Sequence, residues 1–199
     1  MKKTFLICSV IFIVLGCIYF LNACQKISAA ETENTSYPKA LSSYNDFKAL
    51  VAEVEQHRAQ RLVTFNKFIA MSKEPKTIIL DTRSADRYEK KHIKGAVHLS
   101  FTDFTQTSLN RLIPDPTTRI LIYCNNNFIG DQVNFASKTA QPQSSGNSIL
   151  QNTRPVMLAL NIPTYINLYG YGFRNVYELD ELVNINDTRI VFEGTEVSN

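Results

Sequence analysis

One cysteine stands where a strand of an α/β sheet would present a reactive group. Arg119–Tyr123 (RILIY) is an apolar run that predicts a buried strand, and Cys124 follows it directly. Sites in open α/β sheets form beyond the carboxyl ends of the strands, which makes Cys124 the candidate nucleophile. The next three residues, Asn125, Asn126 and Asn127, favour a turn and tolerate left-handed backbone.

The residues after this turn predict a way to ionise the thiol. Asp131–Ala136 predicts a helix, whose first N–H groups and positive dipole end would favour a thiolate on Cys124. The alternative is a buried, inert cysteine, which is common in protein cores. The position of Cys124 in a loop favours the reactive thiol.

Three blocks of the chain, in this order, resemble the motifs of rhodanese-like domains. The first is an Asp-x-Arg strand end at Asp81–Arg83, followed by a His-Ile-x-Gly-Ala turn at His92–Ala96. The second is the strand Ile120–Cys124 with its terminal cysteine, and the third is a Gly-Phe-x-Asn-Val-x-x-Leu segment at Gly172–Leu179. The resemblance covers about residues 46–179. It implies an α/β fold with a parallel sheet flanked by helices.

The resemblance also implies sulfur transfer. The thiolate of Cys124 would attack the outer sulfur of thiosulfate or another sulfane donor, and a thiol or cyanide would then remove the sulfur from the persulfide. Backbone amides of the following loop would bind the substrate, and this loop comprises Asn125, Asn126, Asn127, Phe128, Ile129 and Gly130. The implied partners are a small sulfur compound and a thiol acceptor, and no metal or organic cofactor is implied.

The loop departs from the family pattern because it contains no cation. Phe128–Asp131 occupies the region where related loops carry a cationic or hydroxyl residue. This favours a neutral or singly charged donor over a dianion. Arg154, at the far end of an insertion after the loop, is a candidate for the missing cation; the alternative is a solvated surface arginine. The departure also supports a second function, a non-catalytic module that binds a protein partner or an anion.

Four residues of the first block are expected to be structural. Asp81 and Arg83 would brace the strand end through an ion pair, while His92 and Gly95 would shape the following turn, with Gly95 supplying backbone freedom. The remaining histidines have no partner at metal-ligand spacing, so no metal site is predicted.

The elements that must position Cys124 follow from hydrophobic spacing. Apolar residues at helical spacing over Tyr44–Met71 predict an additional N-terminal helix, whose polar middle at Glu55–Gln60 allows a break. The remaining predictions are strands at Thr77–Leu80, Ala96–Leu99 and Asn175–Leu179, and helices at Ala85–Lys91 and Phe104–Leu112. Residues 137–153 are rich in Ser, Gln, Asn and Gly and predict an insertion in the domain.

The first thirty residues predict export. Lys2 and Lys3 precede an uncharged apolar run, Thr4–Ala23, as in a secretory signal segment or membrane anchor. Three outcomes stay open: lipidation of Cys24, which follows a lipobox-like Leu-Asn-Ala; cleavage after Ala30; and an uncleaved anchor. Lipidation at Cys24 is preferred. Each outcome places the domain in the envelope of a bacterial cell, anchored or released on the far side of the membrane.

The predicted organisation is a signal or anchor at 1–30, a tether at 31–43, a domain at 44–182 and a tail at 183–199. The formal charge of +3 comes from three lysines in the first thirty residues; without them, 18 basic and 18 acidic residues remain. Such a balance excludes a basic field for nucleic acid. Cys124 is the single cysteine of the domain, which excludes an internal disulfide and a resolving thiol. The oligomeric state is left open.

Overall fold

The computed structural model describes residues 37–142 and 154–197 and divides the chain into two compact units, Met1–Ser42 and Ser43–Asn199. Within the first unit, residues 37–42 are exposed and form no helix or strand. The predicted signal segment with Cys24, most of the tether and residues 143–153 of the insertion lie outside the described residues. In the described part of the chain, no helix combines the length and the apolar character needed to cross a bilayer.

The second unit alternates strands and helices. Its helices are α1 (Tyr44–Ala59), α2 (Phe65–Ser72), α3 (Ala85–Lys90), α4 (Gln106–Leu112) and α5 (Asn161–Gly170), with single 3₁₀ turns at Phe101–Asp103 and Asn125–Asn127. Its strands are β1 (Leu62–Val63), β2 (Thr77–Asp81), β3 (His92–Ile93), β4 (Val97–His98), β5 (Arg119–Tyr123), β6 (Phe128–Ile129), β7 (Thr139–Ala140), β8 (Val156–Met157), β9 (Val176–Leu179), β10 (Val183–Asn184) and β11 (Phe192–Glu193).

The main sheet is parallel throughout, with strand order β1-β9-β5-β2-β4. β5 therefore lies in the middle, and its register with β2 runs from Thr77 opposite Arg119 to Asp81 opposite Tyr123. The α/β fold with a parallel sheet and flanking helices is confirmed. β5, which ends directly before Cys124, therefore occupies the centre of the sheet, with strands paired to it on both sides.

Apolar side chains on both faces of β5 explain its central place. Leu121 and Tyr123 pack on one side with Phe65, Phe68 and other residues around α2. Ile120 and Ile122 pack on the opposite side against α1, α4 and α5. A strand covered on both faces needs such a continuous apolar run. Full burial of each of these large side chains stabilises the fold by about 1.5–3 kcal/mol.

The predicted helix over Tyr44–Met71 is interrupted by a strand. α1 ends at Ala59, β1 pairs in parallel with β9, and α2 starts at Phe65. Thr64 caps α2 by accepting a hydrogen bond from the Lys67 N–H, which stabilises a new helix start at this point. The polar middle of the predicted helix marks the end of α1, while the short β-strand after it carried no sequence signal.

The predicted helix at Asp131–Ala136 is wrong, because these residues form turns. β6 pairs with β10 and draws the chain after the cysteine into an extended path. Gly130 then turns the backbone with φ of +96°, and the Asp131 carboxylate accepts a hydrogen bond from the Asn134 N–H. The helix dipole that the sequence predicted beside Cys124 is therefore absent.

The C-terminal residues return to the domain. β10 pairs with β6, and β11 pairs antiparallel with β3, so that Glu193 lies opposite His92. Ile190 is buried in the same core as Phe128. Residues 183–193 thus contribute two short strands and two buried core residues, Val183 and Ile190, although the sequence marked them only as a tail.

Candidate active site

Cys124 lies at the carboxyl end of β5, beside the end of β2. Because β2 and β5 are adjacent and parallel, the residues that follow Asp81 meet the residues that follow Tyr123. The Cys124 side chain is buried, with 2% of the residue exposed, but it lines a pocket that opens to solvent. The sequence-predicted nucleophile is thus buried but faces an opening.

Backbone N–H groups point at the sulfur of Cys124. The Leu160 N–H donates a hydrogen bond to Sγ at 3.3 Å, and the N–H of Asn125 also interacts with this sulfur. Leu160 lies 36 positions away, immediately before α5. Amides from two separate segments therefore bind the sulfur, in place of the predicted helix start.

The side chain of Asn127 holds the loop in place and faces away from the pocket above Cys124. Its Oδ1 accepts hydrogen bonds from the Cys124 N–H at 2.9 Å and from Asn161 Nδ2 at 2.8 Å. Its Nδ2 donates to the carbonyl oxygens of Leu179 and Glu181. This buried amide ties the loop to the end of β9 and to α5.

The other predicted loop ligands are spread over several places. Asn125 lines the pocket above Cys124, and its Oδ1 is a buried atom without a hydrogen-bond partner among the described residues. Asn126 and Asn127 line a neighbouring pocket, Phe128 is buried in the core, and Ile129 is partly exposed beside β10. Gly130 is an exposed turn residue. Of the six residues, only Asn125 lines the pocket.

Asp81 and Arg83 form a fully buried ion pair at the end of β2. Arg83 Nη2 lies 2.7 Å from Asp81 Oδ2, and Tyr123 donates its hydroxyl proton to the same oxygen at 2.5 Å. Arg83 also donates to the carbonyl oxygens of Asn134 and Lys91. Arg83 also lines the pocket above Cys124, so this residue belongs both to the ion pair and to the site.

The pocket above Cys124 has a volume of about 330 Å³ and a cationic wall. Arg87, on the first turn of α3, and Lys138, in the first part of the insertion, line it together with Arg83. Ser84, the residue before α3, makes no capping hydrogen bond with its side chain. The complete lining is Arg83, Ser84, Arg87, Cys124, Asn125, Lys138, Leu158 and Leu160.

Arg154 does not line this pocket. Its side chain is exposed in the return part of the insertion, and the cations that the structure places beside Cys124, within the described residues, are Arg83, Arg87 and Lys138. The absence of a cation from the loop itself is therefore offset by neighbouring elements. An anion in this pocket would meet positive charge on more than one side.

Burial raises the pKa of the Cys124 thiol above its ordinary value. The N–H groups of Leu160 and Asn125 and the Arg83 charge act in the opposite direction, and the Asp81 carboxylate adds to the increase. Burial thus favours the thiol over the thiolate. The reaction of Cys124 with an electrophile should accelerate as the pH rises.

His92 and Gly95 form the turn after α3. The His92 ring stacks on Tyr88 with 3.7 Å between ring centroids, and its Nε2 lies 3.3 Å from a Glu193 oxygen. Gly95 has φ of +78° and donates its N–H to Glu193 at 2.8 Å. The turn therefore adopts a conformation that favours glycine, and the C-terminal β11 is attached to it.

Sequence reasoning missed Arg87, Lys138, Leu158 and Leu160. A signal existed for Arg87, because it follows the end of β2, which the parallel topology places beside the end of β5. The other three belong to the insertion or its return, and no local pattern marks their approach to Cys124. No cluster of three or more metal-ligating side chains occurs in the ranges that the structure describes.

Comparison with known proteins identifies the domain. The family described as Rhodanese-like domain matches residues 64–184, more than half of the chain. No curated protein matches the sequence.

Solved structures similar to this chain include a full-length protein from Lactobacillus plantarum (18% identity, 76% of this chain and 99% of that chain, TM-score 0.41). The BH2092 protein from Bacillus halodurans matches at 18% identity over 64% of this chain and 74% of its own, with a TM-score of 0.38. A complex of an EanB variant with hercynine matches at 19% identity over 59% of this chain and 23% of that chain, with a TM-score of 0.38.

Proposed function

Because this chain belongs to the rhodanese-like family, we propose that it is a sulfurtransferase that passes a sulfane sulfur through a persulfide on Cys124. The N-terminal sequence supports a location in the bacterial cell envelope. The observation that carries the proposal is the pocket in which Cys124 meets Arg83, Arg87 and Lys138.

The basic residues beside Cys124 favour a negatively charged sulfur donor. Basic residues from the loop after β2, from α3 and from the insertion line one small pocket beside the sulfur. A neutral sulfane would gain little from them, whereas thiosulfate or an organic persulfide anion would be bound and oriented. The pocket thus supports a singly or doubly charged anionic donor, whereas the loop sequence alone favoured a neutral or singly charged one.

The transfer step needs no cofactor for its balance. With thiosulfate, the Cys124 thiolate attacks the outer sulfur; a bond forms between Sγ and that sulfur while the sulfur–sulfur bond of thiosulfate breaks. The bonding pair leaves with sulfite, and the persulfide anion remains on Cys124. Arg87 and Lys138 would stabilise the departing dianion. An acceptor thiolate then takes the outer sulfur and restores the Cys124 thiolate.

Intact-mass analysis tests the proposal. The protein is incubated with thiosulfate or polysulfide at pH 7 and pH 9, and a gain of one sulfur, absent from Cys124→Ser, is expected. Formation should be faster at pH 9, because burial raises the pKa of the Cys124 thiol. The absence of added sulfur at both pH values would refute the sulfurtransferase.

A charge variant tests the donor. Arg87→Met should slow sulfur loading from thiosulfate about tenfold, as expected from the loss of one charge-assisted contact. Alkylation of Cys124 by iodoacetamide, an uncharged reagent, should change little. Lys90→Met is the matched control, since Lys90 lies on the same helix and is absent from the pocket lining.

The second candidate is a non-catalytic module that binds an anionic ligand or protein segment. The burial of Cys124 and the raised pKa of its thiol favour it. In that case sulfite or sulfate binds to the chain, as titration calorimetry would measure, while no sulfur is gained in the intact-mass experiment. Binding without sulfur gain would therefore favour the second function, and binding with sulfur gain the first.

A further inference from the structure

The insertion after the thiol loop returns to the sulfur. Its outgoing limb, residues 137–142, and its return limb, residues 154–160, pair through β7 and β8, with Thr139 opposite Met157. The Leu158 N–H donates to the Lys138 carbonyl at 2.7 Å, beyond the end of this ladder. The two limbs are thus joined close to Cys124.

The outgoing limb is also attached to the loop itself. The Lys138 N–H donates to Asn126 Oδ1 at 2.7 Å, within the 3₁₀ turn that follows Cys124. A buried asparagine side chain of the same turn, Asn127, accepts a hydrogen bond from Asn161 at the start of α5. The position of the return limb is therefore fixed on both sides of Leu160.

Leu160 uses its backbone groups in two directions. Its carbonyl accepts the Thr164 N–H at 2.8 Å and starts α5, while its N–H points at Cys124 Sγ at 3.3 Å. Its backbone φ is −75°. The amide is held by the first turn of α5 and has the sulfur as its acceptor.

We propose that the Leu160 amide is a catalytic group of this site, which binds Cys124 Sγ and stabilises its anionic forms. The insertion is then a functional part of the site, delivering this amide and the Lys138 cation. The effect on the thiolate stands without the proposed sulfur transfer, whereas the effect on the persulfide rests on it.

The chemical step is deprotonation of the sulfur. The proton leaves Sγ for solvent, and the electron pair left on sulfur accepts the Leu160 N–H. The charged groups around this sulfur are Arg83 and Arg87 from the β2–α3 segment, Lys138 from the insertion, and Asp81. The cations act on the sulfur through electrostatic attraction. The amide instead directs a hydrogen bond at the sulfur, and this bond becomes stronger when the sulfur carries a negative charge.

Substitution of Leu160 by proline tests the contribution of its backbone N–H separately from that of its side chain. Leu160→Pro removes the N–H at a backbone φ that proline adopts, and Leu160→Ala removes the same apolar side chain but keeps the N–H. Alkylation of Cys124 by iodoacetamide, an uncharged reagent, is measured from pH 6 to pH 10. Leu160→Pro should react about tenfold more slowly than Leu160→Ala at pH 8, as expected for one hydrogen bond to an anion. The midpoint of its pH profile should lie at higher pH.

Equal pH profiles for the two variants would overturn the inference. Sulfur loading by intact mass is measured in parallel, so that failure of sulfur transfer is distinguished from failure of the amide's role. Should Leu160→Pro not fold, as judged by circular dichroism, the amide is followed directly in the folded chain. The ¹H–¹⁵N shift of Leu160 should then move with the titration of the thiol, and it should not move over this range in Cys124→Ser. An unchanged shift in the unmodified chain would contradict the inference.

Discussion

Two adjacent strand ends, those of β2 and β5, differ in how fully their polar groups are paired. At the end of β2, both oxygens of Asp81 are occupied by Arg83, and Tyr123 adds a further donor. At the end of β5, the Cys124 sulfur meets backbone N–H groups and no side-chain donor, and Asn125 Oδ1 has no hydrogen-bond partner, both within the part of the chain that the structure describes.

The fully paired end of β2 therefore supports the structure, whereas the end of β5 carries the reactive group. A buried ion pair with every group hydrogen-bonded has a single arrangement, because any departure leaves a charge without a partner. A thiol bound by a few amides keeps room for a change of charge or for an added sulfur. The β2 end therefore provides a fixed wall against which the chemistry at the β5 end can take place.

The largest effect is expected from the paired side. Asp81→Asn should leave the buried Arg83 charge uncompensated and lower the free energy of unfolding by about 3–5 kcal/mol. Urea unfolding measures the change. Asp86→Asn is the control, because Asp86 pairs with Lys90 on the surface, where an ion pair contributes about 0–1 kcal/mol. Similar losses in both variants would contradict the role of the brace.

A smaller effect should distinguish two asparagines of the thiol loop. Asn127→Ala removes hydrogen bonds to four groups, including the Cys124 N–H, and should cost about 2–3 kcal/mol. Asn125→Ala removes one bond, to the Ala136 carbonyl, and also the unpaired oxygen, so it should cost less than about 1 kcal/mol. Urea unfolding of both variants is the measurement, and the reverse order would show that the loop is anchored elsewhere.

The smallest effect concerns Asp131, which connects the two strand ends. It binds Lys91 and Asn134, whose carbonyl oxygens in turn accept hydrogen bonds from Arg83. Burial would raise the pKa of Asp131, but the hydrogen bonds from Asn134 and Lys91 outweigh it and lower the pKa. Its carboxylate therefore stabilises the fold above about pH 4, and this contribution is lost as the pH falls through the lowered pKa.

Asp131→Asn should accordingly reduce stability by about 1 kcal/mol at pH 7. The difference from the unmodified chain should shrink as the pH falls from 7 to 3, because the stabilising carboxylate is progressively lost as the pH passes through its lowered pKa. Urea unfolding at the two pH values measures it. A difference that persists unchanged at pH 3 would assign the effect to side-chain shape instead of charge.

The sequence predicted the sheet better than the site. The apolar runs Thr77–Leu80 and Arg119–Tyr123 specify strands covered on both faces, and their alternation with helices leads to the parallel sheet. The position of Cys124 at a strand end follows from the same pattern. These properties are local, so the sequence of each segment is enough to predict its secondary structure.

The surroundings of Cys124 depend on contacts between distant segments. Asp131–Ala136 is predicted as a helix, yet these residues form turns after β6, and the strand that pairs with β6, β10, lies some fifty residues further along the chain. Lys138 and Leu160 reach the thiol because the insertion folds back on itself. Hydrophobic periodicity reflects local secondary structure, so it does not predict which distant segments pair with each other.

The antiparallel pairing of Ala140 with Val156 has a consequence for the stretch between them. Since the two limbs already pair at this point, the closure entropy of a longer span beyond it would rise by about 0.6 kcal/mol for each doubling of its length. We therefore expect that a peptide tag or a small domain inserted between Ala140 and Val156 leaves the reactivity of Cys124 unchanged, because β7 and β8 separate the insertion from the thiol.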